Sequence, residues 1–382
     1  EKPMVVANYE FFNDVSFGLK IGADIDRTLS TNITNTPKSG EGAILMWKHW
    51  RTGAGPVSYQ VLVNGKVVAN PTISGNTATE EFTSLHELIG TSDVRSGENN
   101  IEFRVTAGTS TVRISDVNIF YLQKDVVQTR VADYEFFNDV SFGLKIGGDI
   151  DRTLSANIEN APKPGEGAIL MWKHWRTGSG PVSYQVLVNG TEVFAPTISG
   201  DTASENFTFL HENISTNTIK AGENSIEFRV TSGTGTVRIS DVVIFYRRDL
   251  DGNINQPVAG YEYFRDAPFG LKIGGDVDRT LSADIEYSPK LGEGAILMWK
   301  HMRTGPGPVS YEVLVNGVEV FAPTISGDTA SGESLSLNES ISTENINAGE
   351  NNIEFRVTGG TGTVSISDVA VFYRNANAPA VT

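Results

Sequence analysis

The sequence predicts an all-β chain made of three tandem antiparallel β-sandwiches, and three observations carry this. One segment opens three times: YEFFNDVSFGLKIG at Tyr9, again at Tyr134, and as YEYFRDAPFGLKIG at Tyr261. The offsets, 125 (134 − 9) and 127 (261 − 134), are domain-sized, not the roughly 20–50 residues of a solenoid unit. Within each copy the apolar residues alternate with period two, and no window shows a sustained helical stripe with caps. The predicted units are residues 1–124, 125–250 and 251–382, with a linker-like tail, each of about eight strands.

The first copy shows the elements in order. FGLKIG alternates as Phe17, Leu19 and Ile21. AILMW, from Ala43 to Trp47, is apolar on both faces, whereas a strand with one wet face alternates. A long loop or the neighbouring repeat must cover its second face, and the loop is the simpler reading. VSYQVLVNG puts Val57, Tyr59, Val61 and Val63 on one face and ends in Asn64-Gly65, a strong hairpin signal. In NNIEFRV, Ile101, Phe103 and Val105 point inward while Glu102 and Arg104 point the other way. The last strand carries Val112 and Ile114, then Val117, Ile119 and Tyr121; the phase change predicts a bulge near Asp116. The junctions, 122–130 and 247–257, are short, so the units are not freely strung beads. DLDGNIN, Asp249 to Asn255, resembles part of a calcium loop but lacks the bidentate acid about six residues after its glycine, and reads as a turn.

The formal net charge is −16, with Lys and Arg scattered singly, which makes nucleic acid and anionic membrane poor partners. No apolar run approaches the roughly 20 residues of a membrane span, so membrane insertion is not expected. There is no cysteine, which excludes a disulfide scaffold, thiolate metal sites and a Cys nucleophile. A start at Glu1 and the tail RNANAPAVT fit a secreted or cell-surface protein trimmed from a longer chain.

The order of the closing elements carries a family resemblance. The Asn64-Gly65 hairpin, the Gly97-Glu98-Asn99 turn before a paired strand, and the final strand from Val112 to Tyr121 recur at Asn189, Gly222 and Val237, and at Asn316, Gly349 and Val364. This resembles the second half of galactose-binding-domain-like jelly rolls, a group with many carbohydrate-binding modules. The resemblance implies a jelly-roll sandwich for each copy. Because the group also holds protein-binding and structural members, it does not by itself imply a function.

The densest polar cluster is WKHWRTG. On a strand, Trp47, His49 and Arg51 share one face and Lys48 and Trp50 the other. A sugar site needs an aromatic plate and fixed donors for hydroxyls, and this segment supplies both. The candidate ligand residues are therefore His49, Trp50 and Arg51, His174, Trp175 and Arg176, and His301 and Arg303, with Met302 where the second tryptophan stood. Trp50 reads equally as core, since Met302 fills similar volume. If Trp50 is the platform, the third copy binds less well. A second cluster, Asp24, Asp26 and Arg27, recurs in all copies and suits a hard cation, sugar hydroxyls, or plain surface pairing. Many carbohydrate-binding jelly rolls hold calcium near the first and last strands, which here nominates Glu10 and Asp116, Glu135 and Asp241, and Glu262 and Asp368. No hydrolase or nucleotide motif is present. The copies differ most over 79–96, 204–221 and 331–348, which argues against a common site there. The expected function is non-catalytic carbohydrate binding by multivalent weak sites, with calcium as the one candidate cofactor. The alternative is a structural or adhesive spacer, or a protein-interaction repeat.

Overall fold

The structure, a computed structural model, describes residues 6–13, 15–33, 37–38, 42–123, 130–138, 140–249, 258–265, 267–285 and 288–375. Among the described residues each repeat has ten strands. In the first these are β1 (Val6–Asn13), β2 (Phe17–Leu19), β3 (Asp26–Ile33), β4 (Ala43–Thr52), β5 (Val57–Val63), β6 (Lys66–Ala69), β7 (Thr72–Ile73), β8 (Thr83–Ile89), β9 (Gly97–Gly108) and β10 (Thr111–Gln123). One sheet runs β1-β10-β4-β8 with β2 also on β10; the other runs β3-β9-β5-β6 with β7 also on β5. Both are antiparallel throughout, and the other two repeats copy them. Helix among the described residues is limited to three single-turn 3₁₀ segments, and none is long and apolar enough to cross a membrane. The chain is thus an all-β array of jelly-roll sandwiches, as the alternation predicts.

Local chemistry sets the register. Asn64 and Gly65 take φ 48° and 85°, the left-handed pair of a type I′ turn. The Asn64 amide then bonds Asn99 Oδ1 at 2.9 Å and accepts from the Asn100 amide at 2.8 Å, tying the hairpin to β9. Phe103, Val105, Val61, Val63 and Ile119 all lie in the sandwich core with Trp47 and Tyr59. The expected bulge is present: the β10–β4 register shifts between Ser115 and Asn118, and Asp116 takes φ 53°. The segment from Leu250 to Asn255 lies outside the described residues.

The doubly apolar strand corrects one expectation. Ala43, Leu45 and Trp47 enter the sandwich core, but Ile44 and Met46 enter a second core shared by all three repeats. The cover is the neighbouring repeat, not a loop. At the centre of this core Phe120, Phe245 and Phe372 meet edge-to-face, with ring centroids 5.3, 5.4 and 5.2 Å apart. The contacts around them are cyclic. Tyr9 donates to the Gly167 carbonyl at 2.9 Å, Tyr134 to Gly294 at 2.9 Å, and Tyr261 to Gly42 at 2.8 Å. First touches second, second touches third, and third returns to first: the repeats close into a ring with pseudo-threefold symmetry. Gly167 is needed where Phe11 lies over the chain, because a Cβ there would fall 1.8 Å from the ring.

Replacing Phe245 by Ala should destabilise the whole chain by about 3–5 kcal/mol, a large-to-small cost in a fully packed core. Denaturant titration reads it directly. A cost below about 1 kcal/mol would mean that the axial core contributes little to stability.

Candidate binding site

The WKHWRTG strand divides between two interiors. Its inward face forms a fixed relay inside each sandwich. The Trp47 indole donates to the Tyr59 hydroxyl at 2.8 Å, and that hydroxyl lies 2.6 Å from His49 Nδ1. Since the indole can only donate, Tyr59 is left to donate to the imidazole, which makes Nδ1 the acceptor. Burial pushes His49 down to about 3, so the ring is neutral. His174 with Tyr184 and His301 with Tyr311 repeat the arrangement at 2.6 and 2.7 Å. Arg51 is buried and donates to the carbonyls of Gly53, Gly75 and Thr77, stapling two loops together. Arg176 and Arg303 do the same in their repeats. The histidines and arginines expected at a sugar site are spent on internal hydrogen bonds.

The other face, Lys48 and Trp50, looks into the seam between repeats. Lys48 pairs with Asp116 of its own repeat at 3.2 Å and with Glu212 of the next. Asp116 also accepts from the Asn213 amide at 2.8 Å, and its backbone carbonyl bonds His211 Nε2 at 2.7 Å. At this positive φ, Asp116 offers Oδ1 and its backbone carbonyl to the neighbouring repeat, while Oδ2 stays with Ser115 and Lys48 of its own. Lys173 with Asp241 and Glu339, and Lys300 with Asp368 and Glu87, close the remaining seams in the same way. The aspartates nominated for calcium are therefore ring anchors. Glu10 pairs instead with Arg247 of the second repeat at 3.1 Å. Glu135 and Glu262 occupy the matching half-buried positions. Among the described residues no three His, Cys, Asp or Glu side chains converge as a metal site.

Trp50 is only 9% exposed and packs against Phe82, centroids 4.5 Å apart and the rings tilted by 52°, with the Arg113 guanidinium on it. Trp175 is buried likewise against Phe207 and Arg238. The expected stacking platform is thus packed inside its own repeat, on a phenylalanine that itself reaches the next repeat. In the third repeat Met302 and Ser334 hold the places of Trp50 and Phe82, and the seam there opens into a cavity of about 300 Å³. It is bounded by Trp47 and Ala69 of the first repeat and by Lys300, Met302 and Ser334 of the third. Met302 thus lines the open seam, between the third repeat and the first.

Two further polar clusters lie outside the sandwich cores. On the outer face of the β3-β9-β5 sheet, Asp26, Arg104 and Gln60 form a row across three strands. Asp151, Arg229 and Gln185 repeat it, as do Asp278, Arg356 and Glu312. Arg104 is held by Glu102 at 2.6 Å. Arg104 belongs to the polar half of the NNIEFRV alternation; that was its sequence signal, but nothing there placed it opposite Asp26 and Gln60. On the ring axis, Thr77, Thr202 and Thr329 surround a small cavity with Glu81 and Glu333. Thr202 donates to Glu81 at 2.7 Å, and burial pushes that carboxyl up to about 7.

No family model matches the chain, and no curated protein matches it significantly. Among solved structures, a native family 35 carbohydrate-binding module from Clostridium thermocellum aligns at 12% identity and TM-score 0.23, covering 29% of this chain and 97% of its own. The module CBM36, solved with calcium and xylotriose, aligns at 16% identity and TM-score 0.19, covering 31% and 99%. PNGase F, a glycosylasparaginase from Flavobacterium meningosepticum, aligns at 11% and 0.22, covering 64% and 96%. Overlaps this slight assign no role to any residue here.

All five histidines are buried, with pKa values pushed down to about 3 or about 4 mainly by desolvation. Depressed folded pKa values mean stability that is complete above the unfolded value near 6.5 and is lost as pH falls toward 4 and below. Glu81 and Glu135, pushed up to about 7, and Glu333, shifted the same way, act oppositely: their contribution is complete below about pH 4.5 and fades as pH rises through 7. With five groups against three, the melting temperature should be lower at pH 5 than at pH 7.5. The triple change His49→Gln, His174→Gln, His301→Gln leaves two such histidines against three carboxyls and should abolish or reverse that slope. Calorimetry across pH checks both; a melting temperature that rises on acidification in the unsubstituted chain would refute the assignment.

Proposed function

We propose that the chain is a non-catalytic carbohydrate-binding protein of the secreted or cell-surface kind, which presents one weak surface three times from a closed ring. The observation that carries this reading is cyclic closure. Pseudo-threefold packing sets equivalent surfaces at equal height around one axis and at fixed spacing, the condition under which tethered weak sites reinforce each other. The surface best suited to the task is the outer row of Asp26, Arg104 and Gln60 with its two copies. In the first two repeats planar carboxylate, guanidinium and amide groups side by side offer paired donors and acceptors to vicinal hydroxyls, and in the third Glu312 puts a second carboxylate in the place of the amide. A millimolar contact is worth only about −4 kcal/mol, so the gain lies in number.

A second reading, protein-mediated adhesion, is favoured by one feature. Val15, Ile21 and Ile25 are 70, 46 and 47% exposed, and Val140, Ile146 and Ile150 repeat them. The two readings part on a glycan array probed with the intact chain. Carbohydrate binding predicts glycan-dependent capture that falls stepwise as Arg104, Arg229 and Arg356 are changed to Ala one after another. About tenfold loss per step is expected if the sites act together. Capture that ignores all three arginines would place any glycan site elsewhere. No glycan captured at all, by a folded chain, would favour the adhesive reading.

A further inference from the structure

The three seams are built on one plan, and one of them is missing its rings. Between the first and second repeats, the Phe194 ring lies over Lys48 Nζ at 3.9 Å, edge-on to Trp172 at 5.8 Å and to Phe82 at 5.0 Å. Between the second and third, Phe321 lies over Lys173 at 4.0 Å, against Trp299 at 5.8 Å and Phe207 at 5.0 Å. Between the third and first repeats the position of Phe194 and Phe321 is Ala69, that of Phe82 and Phe207 is Ser334, and that of Trp50 and Trp175 is Met302. All three aromatic side chains are absent together. The groups that held the central ring remain: Lys300 in its place between Glu87 and Asp368, and Trp47 in its place in the core. Lys300 is 13% exposed where Lys48 and Lys173 are each 1%. The vacated volume is the cavity of about 300 Å³, larger than the ~150 Å³ that suffices for a benzene molecule in an engineered core.

We propose that this seam is a binding pocket for a small hydroxylated aromatic molecule, whose ring takes the place that Phe194 and Phe321 occupy in the closed seams. A ring set there meets a cation at its face and an indole at its edge, the contacts that the protein itself makes twice. Ala69 and Met302 supply apolar walls. Asn70 and Ser334 line the pocket within the same cavity and suit a hydroxyl substituent. Lys300 is neutralised by two carboxylates, so an anionic ligand gains nothing from it, and a neutral phenol fits better than a benzoate. The pocket exists once per chain and is separate from the outer arginine rows, so it does not depend on the carbohydrate reading.

The test uses the intact chain with 4-methylphenol as probe. Calorimetry should show one site per chain, and the Met302 methyl resonance, assigned from the Met302→Leu variant, should move on titration through the ring current of the bound probe. The variant Ala69→Phe, Ser334→Phe, Met302→Trp copies the packing already present in the other two seams. It should fold, melt at a higher temperature than the parent, and bind the probe at least tenfold more weakly. Should the triple change perturb folding, Ala69→Phe alone places a ring over Lys300 and tests the same loss. Failure of the parent chain to bind 4-methylphenol at millimolar concentration overturns the proposal. So does undiminished binding in a folded filled variant, a Met302 methyl that does not respond, or equal binding of methyl pyranosides and the phenol.

Discussion

A strand that is apolar on both faces has two surfaces to hide, and one sandwich can hide only one of them. β4 and β10 carry this burden in every repeat. Trp47 and Ile119 fill the sandwich, while Met46 and Phe120 are left facing outward. Burying that second face yields roughly 25 cal/mol per Å² of apolar surface, and water offers no alternative partner. Three repeats in one chain supply each other's cover. The central phenylalanine triangle is the meeting point, and the remainder of the architecture follows from reaching it.

Apolar burial alone does not set the angle at which the repeats meet, because it is non-directional. Direction comes from the polar groups taken into the seams. Lys48 and its equivalents are buried cations, and each finds one carboxylate in its own repeat and one in the next. Leaving either partner out would strand a buried charge, at a cost of several kcal/mol. The seams do not need to be identical in detail. His86 and His211 bond the bulge carbonyls of Asp368 and Asp116 at 2.7 Å, while Asn338 approaches that of Asp241 at 3.4 Å. This accounts for the divergent stretches between the copies: they include β8 and its counterparts, where each repeat is fitted to a particular neighbour.

Period-two patterning made the strands, the inward residues, the Asn64-Gly65 hairpin and the Asp116 bulge legible. It also sorted the WKHWR side chains correctly onto two faces. What it could not supply was the destination of the second face. Lys48 meets Glu212 across 164 residues, and His86 meets Asp368 across 282. No local pattern encodes pairings so distant. His49, Trp50 and Arg51 have the composition of a sugar site because buried relays, stacked seams and stapled loops use the same donors and rings. Likewise Ala69, Ser334 and Met302 are three scattered differences along the sequence. Only ring closure, which brings the first repeat against the third, makes them one feature.

That same seam differs in another respect. The first and second repeats are joined by peptide chain, as are the second and third, whereas the third and first are held by non-covalent contacts alone. The joint with the fewest rings is therefore also the joint with no covalent tether. Thermal fluctuation has an asymmetric choice: the ring can gape here like a clasp without unthreading anything, while the other two joints reclose at the high effective concentration their linkers impose. Sub-global opening follows the least-protected boundary. The backbone amides of Thr83–Ile89 in β8, paired to β4 and covered by the third repeat, are accordingly the ones whose exchange with solvent reports the clasp.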